Sequence, residues 1–161
     1  MASKNNILML FLIIFSILTS CQQGEQSIIV VPENYTGFVL ILYGQEKGED
    51  KEYQDKSRIY RIPENGVLLS KFPSNPGWSG FPKFYQGSIA PENEIPYVIE
   101  IKDVPEDKLS AFGGSTGFQS RDLTGQKGIR YIQYFIGNQS EIRESIKELD
   151  KLDIVKLMDE E

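Results

Sequence analysis

Six consecutive apolar or aromatic residues, Phe38-Val39-Leu40-Ile41-Leu42-Tyr43, stand between Gly37 and Gly44. A run this short does not fill a typical helix, and it offers no polar face to water. It predicts a strand covered on both sides, near the middle of the fold. Cross-links cannot substitute for such a core. The single cysteine is Cys21, and the chain has no histidine. Stability must therefore come from packing, with no disulfide framework behind it. The 140 residues after Cys21 suffice for one domain with a real core, and fall short of two.

The rest of the chain is punctuated in the same way. Ser27–Val31 is a β-branched run stopped by Pro32, and Pro32–Gly37 reads as a turn. Gln45–Lys56 is polar and charged, as expected of an exposed loop or hairpin tip. Arg58–Ile62 and Val67–Lys71 flank Pro63-Glu64-Asn65-Gly66, a turn signal that predicts a hairpin of these two strands. In Phe72–Gly87, Pro73, Pro76 and Pro82 forbid a central strand until about Lys83. Pro96–Ile101 and Ile129–Ile136 are further strand candidates, and the Gly- and Ser-rich Ala111–Gly128 reads as a long loop. After Gly137 the period changes. Asn138 with Glu141 has the spacing of a capping box, and Ile142, Ile146, Leu149 and Leu152 recur at helical intervals. The expected fold is mainly β: a single antiparallel β-sandwich-like domain over residues 28–161, with a C-terminal α-helix at about 139–152.

The start of the chain has a different character. Lys4 and two asparagines precede Ile7–Leu18, twelve residues of apolar character, followed by Thr19, Ser20 and Cys21. A spanning helix needs roughly twenty apolar residues, so this run is short for a membrane span and suits a signal peptide. Leu18-Thr19-Ser20-Cys21 resembles the lipobox of bacterial lipoprotein precursors. That resemblance implies cleavage before Cys21 and lipidation of its thiol, with the chain lipid-anchored in the bacterial cell envelope. It makes residues 1–20 a lipoprotein signal peptide and residues 21–27 the lipidated cysteine and a tether. Six flexible residues would reach on the order of 13 Å. The formal charge of −6 becomes −7 once Lys4 leaves with the signal peptide. Such a balance repels phosphate backbones, so no nucleic acid is expected as a partner.

The ordered set Pro32-Glu33-Asn34-Tyr35-Thr36-Gly37, Tyr43-Gly44, Arg61-Ile62-Pro63-Glu64-Asn65-Gly66, Gly77-Trp78, Phe84-Tyr85 and Tyr134-Phe135-Ile136-Gly137 resembles an uncharacterised family of small bacterial extracytoplasmic domains, often lipoproteins. The resemblance spans roughly Val31 to Leu149. It implies no catalytic residues, since that family has no assigned activity. The openings of its strands are also similar to transthyretin-like β-sandwich domains, a likeness of fold alone.

Motifs for catalysis are weak. Gly113-Gly114-Ser115-Thr116-Gly117 matches G-x-S-x-G, the spacing that places a serine on a strand–turn–helix elbow in hydrolases. Without histidine a Ser-His-Asp relay cannot be built within the chain, which leaves Lys108 or Lys127 as a base for Ser115. Gly125-Gln126-Lys127-Gly128 lacks the spacing of a phosphate loop. The carboxylates Glu49, Asp50, Glu52 and Asp55 match no EF-hand, and read as a solvated charge run. No enzyme activity, no cofactor and no metal site are expected. What remains is the aromatic Pro/Gly segment, in which Trp78, Phe81, Phe84 and Tyr85 are the candidate binding residues. They could stack on sugar rings or anchor a protein, or else close over the core. The sequence thus points to a membrane-anchored, non-catalytic domain for binding or envelope interaction, its partners being the membrane through the lipid and a protein or glycan ligand. An immunity-type lipoprotein that neutralises a toxin and a hydrolase using Ser115 are the alternatives.

Overall fold

The computed structural model describes residues 23–120 and 128–158. Residues 1–20, expected to be a signal peptide, together with Cys21 and Lys127, lie outside the described residues. Ten strands form two five-stranded sheets. The first sheet has the order β3 (Glu52–Gln54), β4 (Ser57–Arg61), β1 (Ser27–Val31), β6 (Lys83–Gln86), β7 (Glu94–Ile95). The second has the order β5 (Val67–Ser70), β2 (Gly37–Tyr43), β10 (Gly128–Gly137), β9 (Ser110–Ser120), β8 (Tyr97–Val98). One helix, α1 (Gln139–Leu149), follows.

Alternation along the strands divides the apolar residues between two main clusters. Ile29, Val31, Tyr60 and Phe84 of the first sheet meet Val39, Ile41, Tyr134 and Ile136 of the second across the sandwich. Leu40, Leu42 and Phe135 point the other way, beneath Ile142 and Leu149 of α1. Strand β2 therefore has both faces covered, and Val39 to Leu42 are fully buried. This is the arrangement its unbroken apolar run predicts. The helix starts where the capping box predicts. Asn138 Oδ1 accepts from the Ser140 and Glu141 amides at 3.0 and 3.1 Å, and the Asn138 amide donates to Glu141 Oε2 at 2.8 Å. After α1 the chain makes a short 3-10 turn at Lys156–Met158.

The class is mainly β with one C-terminal helix, but the sheets are mixed. Strand β1 runs parallel to β4 and β6, β2 runs parallel to β5, and β8 runs parallel to β9. The expected hairpin of Arg58–Ile62 with Val67–Lys71 does not form. Its two strands lie in different sheets, joined by an arch in which the Gly66 amide donates to the Pro63 carbonyl at 2.9 Å. Asn65-Gly66 does supply a turn; Leu40, not the preceding strand, takes the hydrogen bond, its amide donating to Gly66 at 2.8 Å. Similar crossings explain two other prolines. Pro32 follows β1 where the chain leaves the first sheet for β2. Pro96 divides the expected strand Pro96–Ile101 into β7 in one sheet and β8 in the other. A residue without an amide hydrogen weakens a ladder least where the ladder ends.

A second departure concerns Ala111–Gly128. Most of it is strand β9, eleven residues long and paired antiparallel with β10 along its length, with a bulge opposite Gln133 and Tyr134. Glycine usually weakens a strand because it has nothing to pack. Here the aromatic side chains of β10 supply the packing. The Tyr131 ring lies over Gly117, its direct cross-strand partner, in space that a Cβ would occupy. In the charged segment before β4, Asp55 and Lys56 take positive φ and close the tight β3–β4 hairpin.

Two substitutions test these local arguments. Gly66 has φ +77°, and a Cβ there would collide with the Tyr35 hydroxyl and the Phe38 carbonyl. Gly66→Ala is expected to destabilise the domain by about 1–3 kcal/mol in urea unfolding. Asn138→Ala removes the side-chain cap and should cost about 1 kcal/mol by the same measurement.

Candidate functional site

The segment joining β5 to β6 forms a ten-residue loop, 73–82, that contains no charged residue. It is fastened to the chain that precedes β1. Gln23 forms a parallel bridge with Trp78, and the Gly24 amide donates to the Trp78 carbonyl at 3.1 Å. Asn75 clamps Glu25 from both sides: its Oδ1 accepts from the Glu25 amide at 2.9 Å, and its Nδ2 donates to the Glu25 carbonyl at 2.6 Å. Gln26 Nε2 donates to the Phe81 carbonyl. Residues 23–26, expected to be part of a flexible tether, are thus docked. Their backbone groups find partners on the loop, which a free tether would leave to water.

Arg58 locks this joint from beneath. It is 6% exposed. Its Nε and Nη2 reach Glu25 Oε2 at 2.5 Å, and Nη1 donates to the Pro73 carbonyl at 2.6 Å. The guanidinium lies 4.8 Å from the centre of the Phe72 ring. A buried guanidinium needs this much satisfaction, because an unpaired one would be severely penalised.

Between the loop and the projecting β9–β10 hairpin lies a groove of about 540 Å³. Tyr43 and Tyr134 line it with Ser27, Asn75, Thr116 and Arg130. Tyr134 is 5% exposed. Arg130 is the one charged residue on the described lining. It pairs with no carboxylate there, and its guanidinium sits 5.6 Å from the Phe118 ring centre. Deeper in, the Tyr60 hydroxyl is fully buried without a hydrogen-bond partner in good geometry. Burial pushes the hydroxyls of Tyr43, Tyr60 and Tyr134 well above the usual tyrosine range, so all three are neutral at physiological pH.

Of the four aromatic residues singled out in the sequence, two present their rings to solvent. Trp78 is 78% exposed and Phe81 64%. Phe84 and Tyr85 are buried, because strand β6 begins at Lys83 and turns successive side chains to opposite faces. Phe84 stacks on Tyr97 inside the sandwich, with ring centres 5.7 Å apart, and Tyr85 joins Ile28, Val30 and Ile59 on the outer face. Neither is a contact residue. Ser115 is exposed in the middle of β9 opposite Gln133, so the strand–turn–helix elbow of a serine hydrolase is not built. Asp50 and Glu52 are engaged by Lys71 at 2.7 Å and by Arg61 at 2.7 Å. Among the described residues no group of three or more acidic, cysteine or histidine residues could hold a metal. The sequence reading missed Arg58, Arg130, Phe118, Tyr43 and Tyr134. They become a site only through strand pairing that links positions far apart in the chain.

The architecture is a two-layer mixed β-sandwich with one helix packed on its second sheet. Residues 23–85, from the docked segment through β6, match a family of unknown function, DUF6843. The fold is similar to a crystal structure of a candidate lipoprotein from Bacillus anthracis, with a TM-score of 0.50 at 12% identity, covering 70% of this chain and 69% of that one. No curated protein matches the chain. No helix among the described residues is long and apolar enough to cross a membrane.

The tyrosine cluster has a consequence for alkaline stability. The folded state holds these protons more tightly than the unfolded chain, whose tyrosines titrate near about 10. Tyr35, raised by burial and by the Glu64 and Glu148 carboxylates, is pushed up to about 12. Their contribution is complete below pH ~10 and is lost as pH rises towards and beyond ~12. Urea midpoints measured across this range should fall, and Tyr43→Phe and Tyr134→Phe should each make the fall shallower.

Proposed function

We propose that this chain is a lipid-anchored protein of the bacterial cell envelope, whose folded domain is a non-catalytic interaction module. The anchor is Cys21, modified after removal of residues 1–20, and the contact surface is the 73–82 loop with the groove behind it. The observation that carries this reading is the joint between the two. Residues 23–26, one residue past Cys21, are hydrogen-bonded to the uncharged loop that displays Trp78 and Phe81. An anchored chain that uses the residues close behind its anchor to brace an aromatic loop is organised for contact at the membrane side. The apolar run before a small-residue lipobox supports the anchor, and the description of the Bacillus anthracis protein as a candidate lipoprotein agrees with it.

A catalytic role has no comparable support. Ser115 is exposed in a strand beside a bulge, and the groove offers a guanidinium and neutral hydroxyls without an accompanying base. Rigid loops bearing aromatic side chains favour binding, since little conformational freedom is lost on contact.

The anchor is tested by expressing the full chain in a bacterium supplied with labelled palmitate. The native protein should take up label and sediment with membranes. Cys21→Ser should lose both properties, and an unlabelled native chain would sink the reading. The same preparation treated with an activated phosphonate should leave Ser115 unmodified.

A further inference from the structure

The Trp78–Phe81 end of the sandwich has three properties that together identify what it touches. The first is distance. Only Gln22 separates Cys21 from Gln23, and the two Cα–Cα steps between them span at most ~7 Å even when fully extended. Trp78 is bridged to Gln23 at the spacing of neighbouring strands, about 5 Å. The Trp78 backbone is therefore confined to within roughly 12 Å of the anchored residue. A lipid headgroup layer is itself about 5–7 Å deep on each side of the hydrocarbon core. The docking of residues 23–26 removes the slack that a free tether would have given.

The second property is composition. Five large apolar side chains are exposed among the described residues, and three of them lie at this end: Phe118 lines the groove, and Trp78 and Phe81 stand on the loop that forms its other wall. Such clustering marks a contact surface, whereas scattered exposed apolar residues do not. Tryptophan and other amphipathic aromatic side chains favour the boundary between headgroups and acyl chains.

The third is charge. The chain carries −6 overall, yet loop 73–82 has no charged residue, and Arg130 beside it is a cation without a carboxylate partner among the described residues. An acidic domain tethered to an anionic surface is repelled everywhere except at such a face. There a guanidinium can meet a lipid phosphate through charge-assisted hydrogen bonds.

We infer that the bilayer itself is the partner of this face: Trp78 and Phe81 rest in the headgroup layer, Arg130 stands at its surface, and the aromatic loop fixes the orientation of the domain on the membrane. The inference rests on the lipidation of Cys21 proposed above, and it replaces a glycan or protein at the loop with lipid. It makes the turn at Glu64, at the other end of β4, the face presented to the aqueous compartment.

Trp78 is the sole tryptophan, so its emission reports this contact directly. The full chain, lipidated in its bacterial host, is reconstituted into vesicles of phosphatidylethanolamine and phosphatidylglycerol, some with acyl chains brominated near the headgroup. The expected result is a blue-shifted emission, mostly lost in bromolipid vesicles and little affected by aqueous iodide. In a Trp78→Phe background, Phe81→Trp should behave in the same way, while Glu64→Trp should be quenched by iodide and not by bromolipid. A lipidated protein whose Trp78 emission is red, iodide-sensitive and indifferent to bromolipid would overturn the inference. It would return the loop to a glycan or protein partner and leave the anchor standing. Absence of lipid on Cys21, read by mass spectrometry of the same sample, would remove the anchor and the inference together.

Discussion

The guanidinium of Arg58 is the constraint on which the functional end of the molecule depends. Taking a cation out of water is costly, and the cost is recovered only if every donor finds a partner in good geometry. Arg58 meets that demand by drawing two separate pieces of chain to its own strand. Glu25 precedes the first strand, the Pro73 carbonyl opens the long loop, and Phe72 ends the run that follows β5. A leucine at this position would pack the core equally well. It would provide no reason for the segment before β1 and the loop after β5 to meet, so the charge contributes specificity of arrangement.

Around that point the two layers are linked by arches, while hairpins such as β3–β4 stay within a layer. The chain passes from one sheet to the other after β1, after β4 and again at Pro96. Strands that reach a layer by such crossings can lie parallel to neighbours that are distant in sequence, which is why β1 lies between β4 and β6 and both pairings are parallel. This topology has a physical advantage for the site. The ends of the layers are linked by loops that cross the gap, and a loop rich in proline and glycine can close one end while leaving a groove beneath it. Strand β9 contributes the other wall because its glycines let the aromatic rings of β10 lie close against it.

What could be read from the residues follows from which forces are local. The strands Ser27–Val31, Phe38–Tyr43 and Ile129–Ile136 are marked by apolar runs, and α1 by its cap and period, so all four were legible. Pairing was not. Asn65-Gly66 specifies a turn but cannot say whether the next strand returns to the same sheet, and here Val67 pairs with Leu40 instead. Strand β9 was hidden because its glycines are supported by side chains that come from β10. Trp78 and Phe81 were legible as aromatics on a constrained loop, but whether they faced solvent or the core was not. Phe84 and Tyr85 belong to the same run of sequence, but lie just past Pro82, where extended pairing begins and burial follows. The groove was beyond reach for the same reason as β9: Arg130 and Phe118 are neighbours only across a hairpin.

The buried tyrosines connect the core to this groove. Tyr43, Tyr60 and Tyr134 carry hydroxyls into the region where the two sheets separate, and the Tyr60 hydroxyl is left without a good partner. Phenylalanine would avoid that penalty, so packing alone does not account for three tyrosines here. Their neutral hydroxyls allow the core to grade into a polar cavity without adding a charge beside the Arg58–Glu25 pair. Tyr43 and Tyr60 meet edge to face at 6.3 Å, and Tyr60 meets Phe72 at 5.3 Å. The ring chain thus runs from the groove to the residue over which Arg58 is stacked. The docked segment, the aromatic loop and the groove are therefore held by one continuous set of contacts. A displacement of the loop would have to disturb the buried guanidinium, which keeps the exposed face in a fixed relation to the sandwich.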